Sequence, residues 1–303
     1  MFASADIVEL KVMKAKRKSM VMMFVSLLLL GLTFATSPVF GRSQDKRNVA
    51  NYPSIQDAVD SLPQSGGTVF IPRGIYVIST PIRVPSNVVM VGEGFETLLK
   101  LADGANCNVI ENMHFDEWVD ENIVIRDMQI DGNREHQTAP CSGVWLQRAT
   151  GSIIEYVWFH SFPLPYGWIS CSIRLMQSPS TIIRHNIVEN NSYTGVFLGW
   201  SDNCVISHNY VSRSHRGIYL RNSDSCRVKK NVVINCDEGI RIYYDASNNR
   251  IIGNYVEGSS EEGIVITRAE CENNFVVGNY LVNNRINIDD KGTNTKMPHN
   301  RLS

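Results

Sequence analysis

The sequence lacks an excess of charge of either sign. It has 29 basic and 30 acidic residues among 303, with a formal net charge of −1. Without a positive field, the chain has no long-range attraction to a phosphate backbone. Nucleic acid is therefore not predicted as a partner, and the length suits one large domain.

The seven cysteines lack the spacing of a metal site. They form no CxxC pair and no Cys/His pattern of the kind that binds structural zinc. Cys204 and Cys226 stand 22 residues apart at the same place in two similar segments, beside alternating apolar residues. We predict that they are buried free thiols, which pack as small apolar side chains. A disulfide between them is the alternative.

One long hydrophobic run, MVMMFVSLLLLGLTFA at 20–35, follows a basic segment. The basic residues are Lys14, Lys16, Arg17 and Lys18, and SPVFG after the run ends on Gly41. This order is typical of an export signal. We predict a signal peptide over 1–41, with an uncleaved membrane anchor as the alternative and Met13 as an alternative start. In either case we expect the rest of the chain to be exported, and to meet a membrane only through this segment.

A polar linker is predicted at 42–51, and a helix signal follows it. In SIQDAVDSL, Ser54 stands at the N-cap position with Asp57 three residues later. The apolar residues along one face are Ile55, Ala58, Val59 and Leu62. Such a helix suits a cap over the open core of the first coil of a repeat domain, predicted over 52–303.

Four similar phrases then recur between residues 194 and 289. Each begins with a glycine followed by alternating apolar residues; these are Gly195, Gly217, Gly239 and Gly263, at spacings of 22, 22 and 24. A period of this length, made of short β-branched runs, predicts stacked coils of extended chain. Each phrase also carries an asparagine near its end, at Asn209, Asn231, Asn254 and Asn279, and Asn186 precedes the first phrase at the equivalent place. Asn186, Asn209, Asn231 and Asn254 are predicted to be structural, hydrogen-bonding from coil to coil.

The segments PSIQDAVDSLPQSGGTVFIPRGIYVI, SNVVMVGEG and MQIDGNR resemble the pectate-lyase superfamily, specifically the rhamnogalacturonase/epimerase-like pectate lyase domain. The later repeats resemble those of carbohydrate-binding proteins and sugar hydrolases, and the resemblance covers roughly residues 50–290. It implies an all-β, single-stranded, right-handed parallel β-helix with three strands per coil. Lyases, hydrolases, epimerases and non-enzymes share this fold, so the resemblance does not determine the activity.

Outward side chains on the first strand of each coil alternate with inward ones. The first outward column is predicted as Trp145, Arg174, Phe197, Tyr219, Arg241, Val265 and Asn287, and the second as Gln147, Met176, Gly199, Arg221, Tyr243, Thr267 and Asp289. Aromatic rings stack on sugars, and arginine pairs with carboxylates. We expect a water-exposed substrate groove, although β-propensity alone also explains aromatic and arginine side chains here. The insertions at 131–142 and 161–170 are predicted to project beside it, with Tyr166 and Trp168 at its border.

Candidate catalytic residues precede or lie on these strands. Asp237 and Glu238, with Glu261 and Glu262 on the next coil, are carboxylates of the type used in glycoside hydrolysis. The Gly-His-Gly motif of polygalacturonases in this superfamily is absent, which disfavours that reaction. A lyase or epimerase needs a base and a cation near a uronate carboxylate. The candidate cations are Arg174, Arg221 and Arg241, and no motif selects one of them. The candidate proton carriers are Tyr219, Tyr243 and His215, and the Asp-Pro-His signature of alginate epimerases is also absent.

The leading hypothesis is an exported polysaccharide lyase, or a related uronate-acting enzyme, on a pectin- or alginate-like acidic polysaccharide. The alternatives are a non-catalytic glycan-binding surface solenoid, a glycoside hydrolase, and a periplasmic maturation protein like a nitrous-oxide-reductase assembly factor with similar repeats. The sparse His and Met on the outward columns argue against metal handling. No cofactor or metal ligand is predicted. Bound calcium is left as an alternative, although the sequence contains no calcium-binding motif. His185 and His208 are interpreted as exposed ladder residues rather than a metal pair.

Overall fold

The computed structural model describes residues 45–117, 120–163, 170–191 and 193–303. The predicted export segment at 1–41 lies outside these residues. No helix within the described ranges is long and apolar enough to cross a membrane.

Across the described residues, most strands belong to two sheets. The larger has eighteen: β1 (Lys46–Asn48), β2 (Gly67–Phe70), β3 (Gly74–Ile78), β5 (Val88–Val91), β6 (Thr97–Leu101), β9 (Val124–Asp131), β12 (Ile153–His160), β14 (Ile182–Arg184), β15 (Ile187–Glu189), β17 (Val205–Ser207), β18 (Tyr210–Ser212), β20 (Arg227–Lys229), β21 (Val232–Ile234), β23 (Arg250–Ile252), β24 (Tyr255–Glu257), β26 (Phe275–Val277), β27 (Tyr280–Val282) and β29 (Arg301–Leu302).

The nine-stranded sheet contains β4 (Ile82–Val84), β7 (Ile110–Asn112), β10 (Val144–Gln147), β13 (Cys171–Met176), β16 (Thr194–Gly199), β19 (Arg216–Arg221), β22 (Glu238–Tyr243), β25 (Glu262–Ile266) and β28 (Ile286–Asp290). A small third sheet pairs β8 (Asp120–Glu121) with β11 (Ala149–Thr150).

Each strand pairs in parallel with its counterpart one coil away. Ile218 on β19, for example, pairs with Val196 on β16 and Ile240 on β22, and all three are fully buried. Short runs of Val and Ile form the strands because branched side chains pack well on a pleated surface. A coil such as β16–β17–β18 contributes one strand to the nine-stranded sheet and two to the larger sheet. The predicted right-handed parallel β-helix with three strands per coil is confirmed.

A ladder of buried asparagines connects the coils at the bend between the two strands of the larger sheet. The Oδ1 atom of Asn231 accepts hydrogen bonds from the backbone N–H and the side-chain amide of Asn209, both at 3.0 Å. Its own amide donates to Ile206 O at 2.9 Å and to Asn254 Oδ1 at 3.0 Å. The ladder runs through Asn186, Asn209, Asn231, Asn254, Asn279 and Asn300. Its predicted structural role is confirmed.

The residue before each ladder asparagine bends the chain sharply. It has a positive φ in every described coil from His185 onward: 56° at His185, 56° at His208, 54° at Lys230 and 60° at Gly253. The left-handed conformation turns the strand within one residue and places the next side chain inside the coil. His185 and His208 are half-buried, with their rings stacked 5.1 Å apart. They therefore form the predicted ladder, but with less exposure than expected.

The one α-helix among the described residues is α1 (Ile55–Asp60). The Ser54 hydroxyl accepts a hydrogen bond from the Asp57 backbone N–H at 3.1 Å. Ile55, Ala58 and Val59 are buried in the main core cluster. This confirms the N-cap and the packed face; Leu62 lies beyond the helix and is half-buried.

Two segments pack more closely on the coils than their composition indicates. Residues 46–48, within the predicted linker, form β1 and pair with β2. The predicted projection of the 131–142 insertion is wrong, because its polar groups bond to the preceding coil. Asn106 Oδ1 accepts from the backbone N–H of Thr138 at 2.7 Å, and Gln137 Nε2 donates to Ala102 O at 2.8 Å.

The thiols of Cys204 and Cys226 are free and buried, as predicted. All seven cysteines are free, and all except the half-buried Cys107 are buried. Cys226 hydrogen-bonds Ser201 O at 3.3 Å. Its hydrogen bond with the Cys204 thiol and then burial raise the pKa of Cys226, so the thiol stays protonated.

Asn231→Ala is expected to destabilise the protein strongly. The substitution removes four side-chain hydrogen bonds and leaves the buried N–H of Asn209 unpaired, at a cost of at least ~2 kcal/mol. The measurement is the midpoint of chemical unfolding. Asn51→Ala, at an exposed site outside the ladder, should change stability by less than about 0.5 kcal/mol. Equal stabilities of the two variants would contradict a structural ladder.

Gly217→Ala is expected to lower the thermal unfolding midpoint. A Cβ at this position would lie 2.5 Å from Gly239 O and 2.6 Å from Val233 Cγ1, and such overpacking costs about 1–3 kcal/mol. Asn51→Ala is again the control, because it makes the same kind of small change at an exposed position outside the packed coils. A midpoint for Gly217→Ala as high as that of the control would rule out close coil packing there.

Candidate functional site

The first outward column of the nine-stranded sheet contains aromatic and charged side chains in register. Strand pairing aligns Glu111, Trp145, Arg174, Phe197, Tyr219, Arg241, Val265 and Asp289. The prediction placed Asn287 at the end of this column and Asp289 at the end of the second column, and both placements are wrong. Val265 pairs with Asp289, because Asn287 stands where the coil glycine Gly263 stands one coil earlier.

The prediction exposed the aromatic side chains of this column to water, but those at its centre are buried. Phe197 is 8% exposed and Tyr219 only 2%, and both belong to a small apolar cluster with Cys171. The rings of Phe197 and Tyr219 meet edge to face at 5.1 Å. Parallel pairing stacks equivalent side chains about 4.8 Å apart, so neighbouring rings cover one another. The predicted exposed aromatic face is therefore wrong at its centre.

Arginine side chains lie across several of these rings. The Arg174 guanidinium is 3.8 Å from the Trp145 ring, and Arg221 is 4.8 Å from the Tyr244 ring. Arg241 is 4.7 Å from the Tyr243 ring. These cation–π contacts keep the guanidinium groups charged in partly dry surroundings. The second outward column is half-buried at Arg221 and Tyr243.

A buried ion network lies where β19 and β22 begin. Glu238 has a side chain only 6% exposed, and its Oε2 is 2.6 Å from Arg216 Nε. Its other oxygen pairs with Arg241. Arg216 also donates to the Tyr193 hydroxyl. One carboxylate is thus bonded to two guanidinium groups, an arrangement in which removal of a partner leaves an uncompensated buried charge.

Arg216 and Tyr193 are site residues that the sequence analysis missed. Arg216 is directly opposite Glu238 in the strand register. Opposite charges at paired positions on neighbouring strands attract each other, so the repeat alignment contained a signal for this pair. Tyr193 had no such signal, because it lies in the turn before β16.

His215 and Asp237 form a hydrogen-bonded pair next to this network. His215 Nδ1 is 2.9 Å from Asp237 Oδ2, and the Ser260 hydroxyl donates to Asp237 Oδ1 at 2.5 Å. Partial burial works to raise the pKa of Asp237, but the hydrogen bonds from Ser260 and His215 outweigh it and lower the pKa. Asp237 is therefore ionised and an acceptor, which assigns the proton of this hydrogen bond to Nδ1; in the neutral form of the imidazole, Nε2 carries the lone pair. The Tyr193 ring is 5.4 Å from the His215 ring.

The phenol of Tyr219 is buried between charged groups. Its hydroxyl has no hydrogen-bond partner among the described residues. Arg216 and Arg241 lie 5.1 Å and 5.6 Å from its ring. Burial raises the pKa of Tyr219 to about 12, against the opposing effect of these arginines. The phenol is therefore protonated at neutral pH and free to donate a hydrogen bond.

Three carboxylates, those of Glu238, Glu261 and Glu262, lie within 4.8 Å of one another. Burial, followed by repulsion from Glu238 and Glu261, raises the pKa of Glu262. Both carboxylate oxygens of Glu238 are already bonded to arginines, one to Arg216 and the other to Arg241. Elsewhere in the predicted site, Trp145 contacts Phe115 with ring centres 4.8 Å apart. Tyr166 and Trp168 lie outside the described residues.

Comparison with known proteins adds a family and a set of similar folds. The family model described as "Periplasmic copper-binding protein (NosD)" matches residues 117–301, more than half of the chain. No curated protein gives a significant match.

Solved structures with the same architecture include three of interest. The A-module of a mannuronan C-5 epimerase from Azotobacter vinelandii has a TM-score of 0.70 at 20% identity, covering 83% of this chain and 77% of that one. The periplasmic alginate epimerase AlgG has a TM-score of 0.58 at 15% identity, covering 84% and 68%. The Streptococcus pneumoniae surface protein and adhesin PfbA has a TM-score of 0.58 at 13% identity, covering 85% and 97%.

At these identities the similarity establishes the fold alone, a right-handed parallel β-helix. The family match covers the repeats, the His215–Asp237 pair and the Glu238 network. The chain belongs to the NosD family.

Proposed function

We propose that the chain acts on an acidic polysaccharide by removing the proton next to a uronate carboxylate, as a lyase or an epimerase. The observation that carries the proposal is the His215–Asp237 pair standing beside two arginines and a buried, protonated phenol. Two of the similar folds belong to epimerases named for mannuronan and alginate, which are uronate polymers. This likeness supports the proposed substrate class. The proposed reaction is inferred from the residues of the site.

Two arginines at this place suit an acidic substrate, although Glu261 and Glu262 add negative charge within 4.8 Å of Glu238. Arg216 and Arg241 share the single carboxylate of Glu238, so the three groups carry one net positive charge. Arg221 lies two residues after Tyr219 on the same strand, against the Trp200 and Tyr244 rings, and no described carboxylate pairs with it. A uronate carboxylate bound by Arg241 or Arg221 would be neutralised, which lowers the pKa of the adjacent C–H.

The proton steps follow from the protonation states. His215 Nε2 has a free lone pair and acts as the base, while ionised Asp237 orients the ring and stabilises the imidazolium that forms. The Tyr219 phenol is the proton donor, a role that requires substrate binding to expose its buried hydroxyl. It returns a proton to the carbanion in an epimerase, or to the departing glycosidic oxygen in a lyase. Glu238 is a positioning residue in this scheme, because it fixes the two arginines.

The same contacts give little support to a glycoside hydrolase. That reaction needs one protonated and one ionised carboxyl group. Glu238 is bonded to two arginines, and the lowered pKa of Asp237 keeps it ionised. Neither Asp237 nor Glu238 is suited to the role of general acid, so a hydrolase would have to use Glu262, whose pKa is raised by burial and by the neighbouring Glu238 and Glu261.

Copper, which the family description names, does not fit the described residues. Copper prefers imidazole, thiolate and thioether ligands. Within the described ranges, the group of acidic, His and Cys side chains close enough to share an ion is the carboxylate set Glu238, Glu261 and Glu262. The rings of His185 and His208 lie face to face, 16° apart, so their nitrogens do not converge on one point. No step of the proposal involves a metal.

Export and domain boundaries are part of the proposal. The basic and apolar segments within 14–35 support a signal, and both the copper-binding NosD family and the alginate epimerase AlgG are described as periplasmic. We propose that residues 1–41 direct export and that residues 52–303, extended by β1, are the active part.

Incubation of the full-length protein with polygalacturonate, alginate and rhamnogalacturonan in deuterated water is expected to show reaction on at least one polymer. Unsaturated product, read by ultraviolet absorbance, indicates a lyase. Deuterium at C5 without chain cleavage, read by NMR, indicates an epimerase. Release of reducing ends without either signal would replace the proposal with hydrolysis. Saturable polymer binding without any reaction would make the chain a glycan-binding solenoid.

His215→Gln and Asp237→Asn are expected to lower kcat by about 10²–10⁴-fold, the usual contribution of a positioned base. Tyr219→Phe should lower kcat with little effect on KM, because it removes one hydroxyl from a residue whose ring stays packed. His208→Gln, on the other sheet, is the matched control and should keep full activity. Wild-type kcat in His215→Gln, with the fold verified by circular dichroism, would exclude this histidine as the base.

A further inference from the structure

A second group of arginines and aromatic rings lies at the carboxyl ends of β16, β19, β22 and β25. Its members, called here the strand-end cluster, are Trp200, Arg221, Tyr244 and Arg268. The Arg221 guanidinium lies 5.2 Å from the Trp200 ring and 4.8 Å from the Tyr244 ring. Arg268 lies 4.2 Å from the Tyr244 ring. Rings and cations therefore alternate across four neighbouring coils.

Both arginines of the strand-end cluster keep donors that face solvent. Among the described residues, no carboxylate forms an ion pair with Arg221 or Arg268. Of the Arg221 nitrogens, Nε alone is buried without a partner, so the two terminal nitrogens are accessible. Arg268 has no nitrogen that is buried without a partner. Two N–H groups at the end of a guanidinium match the two oxygens of a carboxylate.

Trp200 contributes an exposed ring in an unusual backbone conformation. Its side chain is 46% exposed, and its φ is 49°. Left-handed backbone is rare for a bulky residue, whereas Asn222 at the same place in the next coil, with φ 47°, is of a type that tolerates it. Such conformations cluster at ligand-binding sites. The exposed indole offers a flat apolar surface of the kind that stacks on a sugar ring.

Acidic groups stand near the strand-end cluster but do not pair with its arginines. Asp245 is exposed and accepts a hydrogen bond from Asn222 Nδ2 at 3.4 Å. Glu270 is exposed two residues after Arg268. Neither forms an ion pair with Arg221 or Arg268. Unpaired guanidinium groups beside an exposed ring suit a ligand that has both a carboxylate and a sugar ring.

Tyr243 connects this cluster with the network around Glu238. The Arg241 guanidinium lies 4.7 Å from the Tyr243 ring, and Arg268 Nη2 donates to the Tyr243 hydroxyl at 3.2 Å. Arg221 follows Tyr219 by two residues on β19, a distance of about 7 Å along an extended strand. The cluster is thus beside the proposed reaction site on the same sheet, at the position of a neighbouring sugar unit.

We infer that the strand-end cluster is a second subsite, which binds the acidic sugar unit next to the one that reacts. Arg221 and Arg268 bind the carboxylate of that unit, and Trp200 stacks on its ring. The inference rests on the proposed function for the class of substrate. It adds that binding needs at least two consecutive acidic units, and that they lie along the strands, from His215 toward Trp200.

The test is calorimetric titration of the full-length protein with trimers of galacturonate and of mannuronate, their monomers, and neutral mannotriose. All variants carry His215→Gln, so that no trimer is consumed. One of the acidic trimers should bind more tightly than its monomer and than mannotriose. Arg268→Gln should weaken trimer binding about tenfold, the effect of losing one hydrogen bond to a charged group. Arg268→Lys should recover part of the loss, and Trp200→Ala should weaken binding several-fold.

The larger sheet offers matched controls for both substitutions. Arg250 is exposed and lies 5.3 Å from the Phe275 ring, so Arg250→Gln also removes an arginine from an aromatic ring. Tyr280 is 44% exposed, with Arg301 at 5.1 Å from its ring. Arg250→Gln and Tyr280→Ala should bind the trimers as the parent protein does.

The inference is overturned if neither acidic trimer binds, or if mannotriose or the monomer binds as tightly as the trimer. It is also overturned if Arg268→Gln binds like Arg250→Gln, or Trp200→Ala like Tyr280→Ala, with all variants folded. The readout is binding without turnover. A wild type that binds the trimer but never reacts would therefore contradict the proposed reaction alone, and equal binding by Arg268→Gln and Arg250→Gln would contradict the subsite alone.

Discussion

The hydrogen bond from each ladder asparagine to the coil before it is the constraint on which the structure depends. A single coil buries too little apolar surface to be stable alone, so it needs a fixed neighbour. Asn209, Asn231 and Asn254 supply that registration with side-chain amides that are fully satisfied inside the bend. The left-handed residue before each of them makes the bend sharp enough for the amides to stack. The register of all three strands in a coil then follows.

This registration also determines the chemistry of the nine-stranded sheet. Residues at equivalent positions are forced about one strand spacing apart, whatever their charge or size. The rings of Phe197 and Tyr219 therefore cover each other, and the buried side chains of Arg216 and Glu238 form an ion pair. The site is therefore a compact network and not an open aromatic surface. Contacts between neighbouring coils hold its arginines, its orienting Asp237 and its protonated phenol in place.

Much of the fold was readable from the sequence, because its signals are local or periodic. The glycine and asparagine spacing identified the coils, and Ser54 with Asp57 identified the start of α1. The site was readable only in part. His215, Asp237, Tyr219 and Arg241 were named, but their mutual contacts depend on pairing between coils, and the burial of Tyr219 depends on its neighbours. Tyr193 carried no periodic signal, and a two-residue shift misplaced Asn287, since repeat lengths vary from coil to coil.

The most direct measurement of the central claim is a crystal structure of the full-length protein with a bound oligouronate. The account predicts one uronate carboxylate hydrogen-bonded to Arg241 or Arg221, with its C5 hydrogen facing His215 Nε2 and the Tyr219 hydroxyl donating to the sugar. The account would be contradicted by an oligouronate that binds away from the nine-stranded sheet and makes no contact with an unchanged Arg216–Glu238 network.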